Sequence, residues 1–277
     1  MKSLRHVCRR LVRAAWLVPG LLAVAGGPVR AETPLSADAI VQRAVERVKS
    51  PGARSLRPNY VYTKHTLTEE LNLQGKVKDR TEKYYEVLVE SGVSYLKLTR
   101  FNGQDLSPAQ LKKQEEREQA ERKAMTDAKA DQRGDERENF LKPELVEKYK
   151  FTLVGHKTSN GRDVYELAFE PKSANLPVHK LTDRFLNNIA GTVWIDAQEF
   201  EIAHLELHLK SEVTLWGGMV GTLRQGTYTL ERTRLPDGAW FNDSSHGMFE
   251  GRKLLEPLLI RSRSDSSNYH RSDVALK

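Results

Sequence analysis

Between Asn188 and Arg234 the chain alternates apolar and polar residues over three consecutive segments, and this pattern constrains the fold more than any other stretch. Residues 191–196, 201–210 and 221–234 each read as a strand. In the middle one, Ala203, Leu205, Leu207 and Leu209 fall on one face, and His204, Glu206, His208 and Lys210 on the other. A period of two places an apolar sheet face against something and a polar face in water. The functional question is what that apolar face covers: its own helices alone, or a ligand as well.

Two further segments set the boundaries. Residues 1–13 carry Lys2, Arg5, Arg9, Arg10 and Arg13 and no acid; an apolar run from Ala14 to Ala25 follows, then Pro28-Val29-Arg30-Ala31. This order predicts a cleavable secretory signal peptide over 1–31 and an exported, periplasmic product. The apolar run is shorter than a spanning helix requires, and no later run is long enough, so no transmembrane segment is expected after cleavage. Cleavage removes six of the 44 Lys and Arg residues and leaves 38 against 37 acids. A near-neutral chain gives no support to nucleic-acid binding. The one cysteine, Cys8, leaves with the signal, which excludes disulfides and thiolate chemistry from the rest.

Leu35–Val48 predicts a helix with Ser36 as N-cap and a stripe of Val41, Ala44, Val45 and Val48. Strands follow over 59–73, 76–90 and 93–101, joined by glycine-containing turns as a meander. Ser107-Pro108-Ala109-Gln110 then opens a different segment, 107–139. From Lys112 to Glu138, 17 of 27 residues are charged without an apolar stripe, which predicts an exposed helical insertion fraying near Gly134. A hairpin across Asn160-Gly161, the three central strands and two more over 239–252 and 258–269 complete nine or ten strands. The tail 273–277 is expected to be disordered. The fold class is mainly β, of the α+β kind: a curled antiparallel sheet with helices on its concave face.

Several short constellations carry possible chemistry. His204-x-Glu206-x-His208 puts three potential zinc ligands on one face of a strand, a spacing that a solvated face gives equally. Asp243, Ser244, Ser245 and His246 include triad residue types, but neighbours in a strand point apart and no nucleophile elbow is present. No Gly-rich phosphate loop is recognised, and residues 217–221 read as a flexible turn that could form a rim. The chain is read as non-enzymatic, without metal or cofactor. The outward charges Lys64, Glu86, Lys97, Glu206 and Lys210 argue against a transmembrane barrel.

The signal segment, the amphipathic helix before a meander, the strand Gly191-Thr192-Val193-Trp194-Ile195-Asp196 with its partner from Glu201 to Glu206, and the turn Leu235-Pro236-Asp237-Gly238-Ala239-Trp240 together resemble the periplasmic lipoprotein-carrier and outer-membrane lipoprotein-receptor family, the LolA/LolB-like fold. The resemblance covers 60–101 and 149–270 and implies a single domain over 32–272, an unclosed β-barrel with a helical lid and a concave apolar cavity for acyl chains. The charged insertion departs from it. Phe185, Trp194, Leu205, Leu207, Leu209, Trp216 and Met219 are the candidate cavity-lining residues. The leading expectation is a carrier of a lipid or lipoprotein acyl chain. The alternative is a cell-envelope sensor or structural module with a closed core that meets a protein partner through 107–139.

Overall fold

The computed structural model describes residues 35–50, 60–90, 93–127, 141, 143–173, 178, 181–215 and 221–272. The expectations for the signal segment 1–31, the fraying end of the insertion, Trp216, Met219 and the tail 273–277 lie outside the described residues.

The first element forms as its sequence dictates. Helix α1 spans Ala37–Lys49, and the Ser36 hydroxyl accepts a hydrogen bond from the Ala39 N–H at 3.2 Å. Its apolar stripe turns inward: Ile40, Val41, Ala44 and Val45 are all buried. Burying such side chains contributes about 1.5–3 kcal/mol each.

Among the described residues twelve strands build one antiparallel sheet. They are β1 Tyr60–Leu71, β2 Val77–Glu90, β3 Val93–Phe101, β4 Gln104–Asp105, β5 Tyr149–Ser159, β6 Arg162–Pro171, β7 Ile189–Asp196, β8 Ile202–Leu209, β9 Val213–Leu215, β10 Gly221–Arg234, β11 Trp240–Lys253 and β12 Glu256–Arg271. Their order is β4-β3-β2-β1-β12-β11-β10-β8-β7-β6-β5, with β9 pairing β10. Among the described residues the curled sheet is not closed into a barrel, as the resemblance implies. The two strands beyond the expected count, β4 and β9, have two and three residues, too few to display a period.

The principal core lies between α1 and one half of the sheet. Ile40, Val41, Ala44 and Val45 pack with Leu167 of β6, Val193 and Ile195 of β7, Ile202 and Leu205 of β8 and Leu230 of β10. Gly191 of β7 has no room for a side chain, since a Cβ there would sit 1.8 Å from the Glu206 carbonyl oxygen. One residue departs from the predicted face. Trp194 pairs His204 while Ile195 pairs Ile202, so Ala203 is an extra residue in a bulge. Ala203 therefore leaves the Leu205 face and packs with Val164, Trp194 and Trp240.

Three further helices are described. The charged insertion contains α2, Pro108–Asp127, opened by the predicted reciprocal cap: the Gln110 side chain accepts from the Ser107 N–H at 2.8 Å, and the Ser107 hydroxyl accepts from the Gln110 N–H at 3.4 Å. Short helices α3 (Pro143–Val146) and α4 (Leu181–Leu186) flank β5 and β9. On α2 the Gln114 carboxamide does the docking. It accepts from the Leu98 N–H at 3.3 Å and donates to the Leu96 carbonyl at 3.4 Å, satisfying backbone groups of β3. An exposed sheet edge invites pairing with other chains, and a side-chain amide placed there blunts it.

Candidate functional site

The face that α1 covers changes character as it crosses the sheet. Residues directly opposite in an antiparallel pair share a face, so the register can be followed from strand to strand. One row runs Leu205, Leu230, Ser245, Ser264, Thr66, Lys83. The next runs Leu207, Tyr228, Gly247, Ser262, Thr68, Thr81. Both are apolar through β10, then small and hydroxyl-bearing over β11, β12 and β1. Among the described residues, the core cluster beneath α1 takes no side chain from β11, β12, β1 or β2. The inner face thus continues beyond α1 as a strip, half-buried at Ser245, Ser264 and Thr66, that the α1 core does not fill; this strip is termed the trough.

Two glycines shape its floor. A Cβ on Gly247 would stand 2.6 Å from Cε2 of Phe249 and 2.7 Å from Oγ of Ser262; one on Gly226 would stand 3.3 Å from Cδ1 of Phe249. The Phe249 ring lies across both backbones. Glycine within a strand marks a place where another group approaches closely. Beyond Lys64, at one end of the trough, Tyr62 meets Phe241 with centroids 5.5 Å apart and Tyr269 at 5.1 Å. On β2, burial pushes the Tyr85 hydroxyl above its ordinary range, and the nearby Arg117 of α2 acts in the opposite sense.

The opposite face is polar and closely paired. His204 is buried; its ring stacks on Trp194 at 3.8 Å, and Lys157 Nζ lies 3.3 Å from the centroid of the same Trp194 ring. His204 Nδ1 is 2.7 Å from Glu231 Oε1, and Nε2 is 3.1 Å from Glu206 Oε1. His208 stands across from Thr227 and Ala190, and the described residues hold no group of three acids, histidines or cysteines placed for a metal ion. The Glu231 carboxylate and the Trp194 indole hold His204 as a structural side chain. Ser245 points to the inner face and His246 to the outer, so the triad residue types are divided between faces. An open groove of about 510 Å³ also lies on the outer face, over Thr229, His246, Arg263 and Leu67 and the neighbouring row. Its cations are matched by carboxylates: Arg261 with Glu69 at 2.7 Å and Arg263 with Asp265 at 2.8 Å.

The candidate lining residues separate accordingly. Leu205 is buried against α1, and Leu207 packs beside it. Leu209 is half-buried opposite Ile189, and Phe185 is half-buried on α4. Trp194 belongs to the outer face, opposite that of Leu205 and Leu207. Sequence reasoning missed Phe249, Tyr228 and the hydroxyl rows. The signal available was the pair of mid-strand glycines, Gly226 and Gly247, one on each of two neighbouring strands.

No protein-family model matches the chain, and no curated protein matches it. Among solved structures the chain is similar to a lipoprotein-sorting protein domain from Vibrio parahaemolyticus at 14% identity, covering 87% of this chain and 95% of that one with a TM-score of 0.33. It is similar to a LolA superfamily protein from Nitrosomonas europaea at 12% identity, covering 87% and 96% with a TM-score of 0.31. A third similarity, at 10% identity and a TM-score of 0.25, is to the complex of MucA and MucB from Pseudomonas aeruginosa, covering 86% and 99%. All three similarities extend over most of the chain at low identity.

Proposed function

We infer that the protein is an exported binding or carrier protein of the periplasm that shelters the chain of a lipid or lipoprotein on the inner face of its sheet. The observation that carries this reading is the trough itself. The α1 core ends at Leu230 and Tyr228, while the same face runs on past Phe249 over a glycine and hydroxyl floor. A surface with an aromatic wall and small residues beneath it suits a slender apolar chain. Each methylene sheltered there contributes about 0.8 kcal/mol, less the cost of ordering the chain. No bond is made or broken, and release requires only that the chain be withdrawn. Export rests on the basic and apolar order of residues 1–31.

The test is mass spectrometry of an organic extract of the protein purified from a periplasm. Stoichiometric acyl species, depleted in Phe249→Ala, support the reading. A clean extract together with no uptake of a hydrophobic dye sinks it.

A protein partner met through 107–139 is the second reading. It is favoured by α2, whose side chains over 108–120 are mostly exposed while Gln114 anchors it to β3. Loss of an envelope partner on deleting 108–139, with dye uptake unchanged, would establish it.

A further inference from the structure

The trough is not uniform, and its far wall carries charge that nothing nearby neutralises. Lys83 of β2 stands opposite Thr66, and Lys64 of β1 stands opposite Tyr85 and Ser266. Both lysines therefore share the inner face. Diagonal neighbours on adjacent strands lie about 7–8 Å apart, within reach of a single anion bound between two long side chains. Both are half-buried, and neither forms an ion pair with a described carboxylate. Along β1 the next acid on this face is Glu70, already held by Lys78 at 3.0 Å. The outer-face groove is the contrast: there Arg261 and Arg263 each face a carboxylate. Two half-buried ammonium groups without a described carboxylate partner, on one hydroxyl-bearing wall, offer positive charge to an anion.

We propose that Lys64 and Lys83 hold the anionic head, phosphate or carboxylate, of an amphiphile whose chain lies along Phe249 and Tyr228. Strands β11 and β2 are three spacings apart, roughly 14 Å, which separates the head from the ring that receives the chain. The inference rests on the binding reading above and narrows it to anionic amphiphiles. Ser264, Ser266 and Thr66 would supply hydroxyl donors to the same head.

The experiment compares dodecyl phosphate, dodecanoate, uncharged dodecyl maltoside and inorganic phosphate by dye displacement and titration calorimetry on the full purified chain. The two anionic amphiphiles are expected to bind about tenfold or more tighter than the maltoside, since charged hydrogen bonds are worth that factor. Lys64→Gln/Lys83→Gln should abolish the preference while maltoside binding persists, which shows the variant folded. A stronger response to dodecyl phosphate assigns a phosphate head, and to dodecanoate a carboxylate. Equal binding of charged and uncharged amphiphiles overturns the proposal and leaves the carrier reading standing. Inorganic phosphate binding as tightly as dodecyl phosphate overturns the amphiphile. No amphiphile binding at all overturns both readings.

Discussion

The Phe249 ring rests on Gly247 so closely that a Cβ on the glycine would lie 2.6 Å from Cε2. Both clashing partners, the ring and Ser262 Oγ, are side-chain atoms, so they can move. Gly247→Ala is expected to cost about 1–3 kcal/mol through that displacement and to weaken dye uptake. Phe249→Ala should restore stability in the Gly247→Ala background, because the clash is removed. A thermal-denaturation double-mutant cycle checks this; strictly additive losses would show that the ring is not the cause.

Ile40 is fully buried where α1 meets β6, β7 and β8. Ile40→Ala should destabilise by about 2–5 kcal/mol in urea titration, the sum of lost transfer energy and an unfilled cavity. Leu111 of α2 is 47% exposed, and Leu111→Ala should change stability by no more than about 0.5 kcal/mol.

Gln114 satisfies two backbone groups of β3 from the side. Gln114→Leu removes both hydrogen bonds and leaves Leu98 N–H and Leu96 C=O without that partner. Hydrogen exchange at the Leu98 amide should accelerate, and self-association at high concentration should rise because the edge is uncovered. Amide protection in β12 should not change.

Two aspartates respond to pH in opposite senses. Burial alone would push the Asp196 carboxyl up, but Arg162, at 2.6 Å, and the Glu199 and Gln198 N–H groups outweigh it and hold it below the ordinary range. A depressed folded value means stability that is present at neutral pH and lost as pH falls through that value. Asp196→Asn should cost about 3 kcal/mol at pH 7 and progressively less in acid. Asp243 is raised by burial first and then by Asp265 and Glu231. Its ionised form therefore opposes folding at neutral pH. Asp243→Asn should raise Tm at pH 7, and the gain should vanish below the ordinary aspartate range. Thermal melts across pH check both signs.

Much of the fold was legible in the residues. The meander, the Asn160-Gly161 hairpin, helix α1 and the reciprocal cap at Ser107 and Gln110 all follow from signals within a few positions of one another. The candidate site was legible only in part. Leu205 and Leu207 were placed on the α1 face by their spacing. Trp194, named among the lining residues with Leu205, alternates with Val193 and Ile195 along β7 and so lies on the opposite face, and Ala203 joins it there because a bulge in β8, which leaves no mark in a period-two count, resets the alternation. Phe249 was passed over because a single aromatic in a strand carries no signal until its neighbours' glycines are known to lie beneath it.

What the sequence determined by itself is local: the period that makes strands, the stripe that buries one face of α1, the residues that cap and turn the chain. Those forces act between residues within a turn or a strand of one another. What only the tertiary structure decided is which strands stand side by side. The β1–β12 pairing brings residues some two hundred positions apart into register, and that register places Lys64 and Lys83 on the face that begins at Leu205. Chemistry of that kind belongs to the sheet as a whole, because it arises from cross-strand neighbours that no stretch of the chain contains.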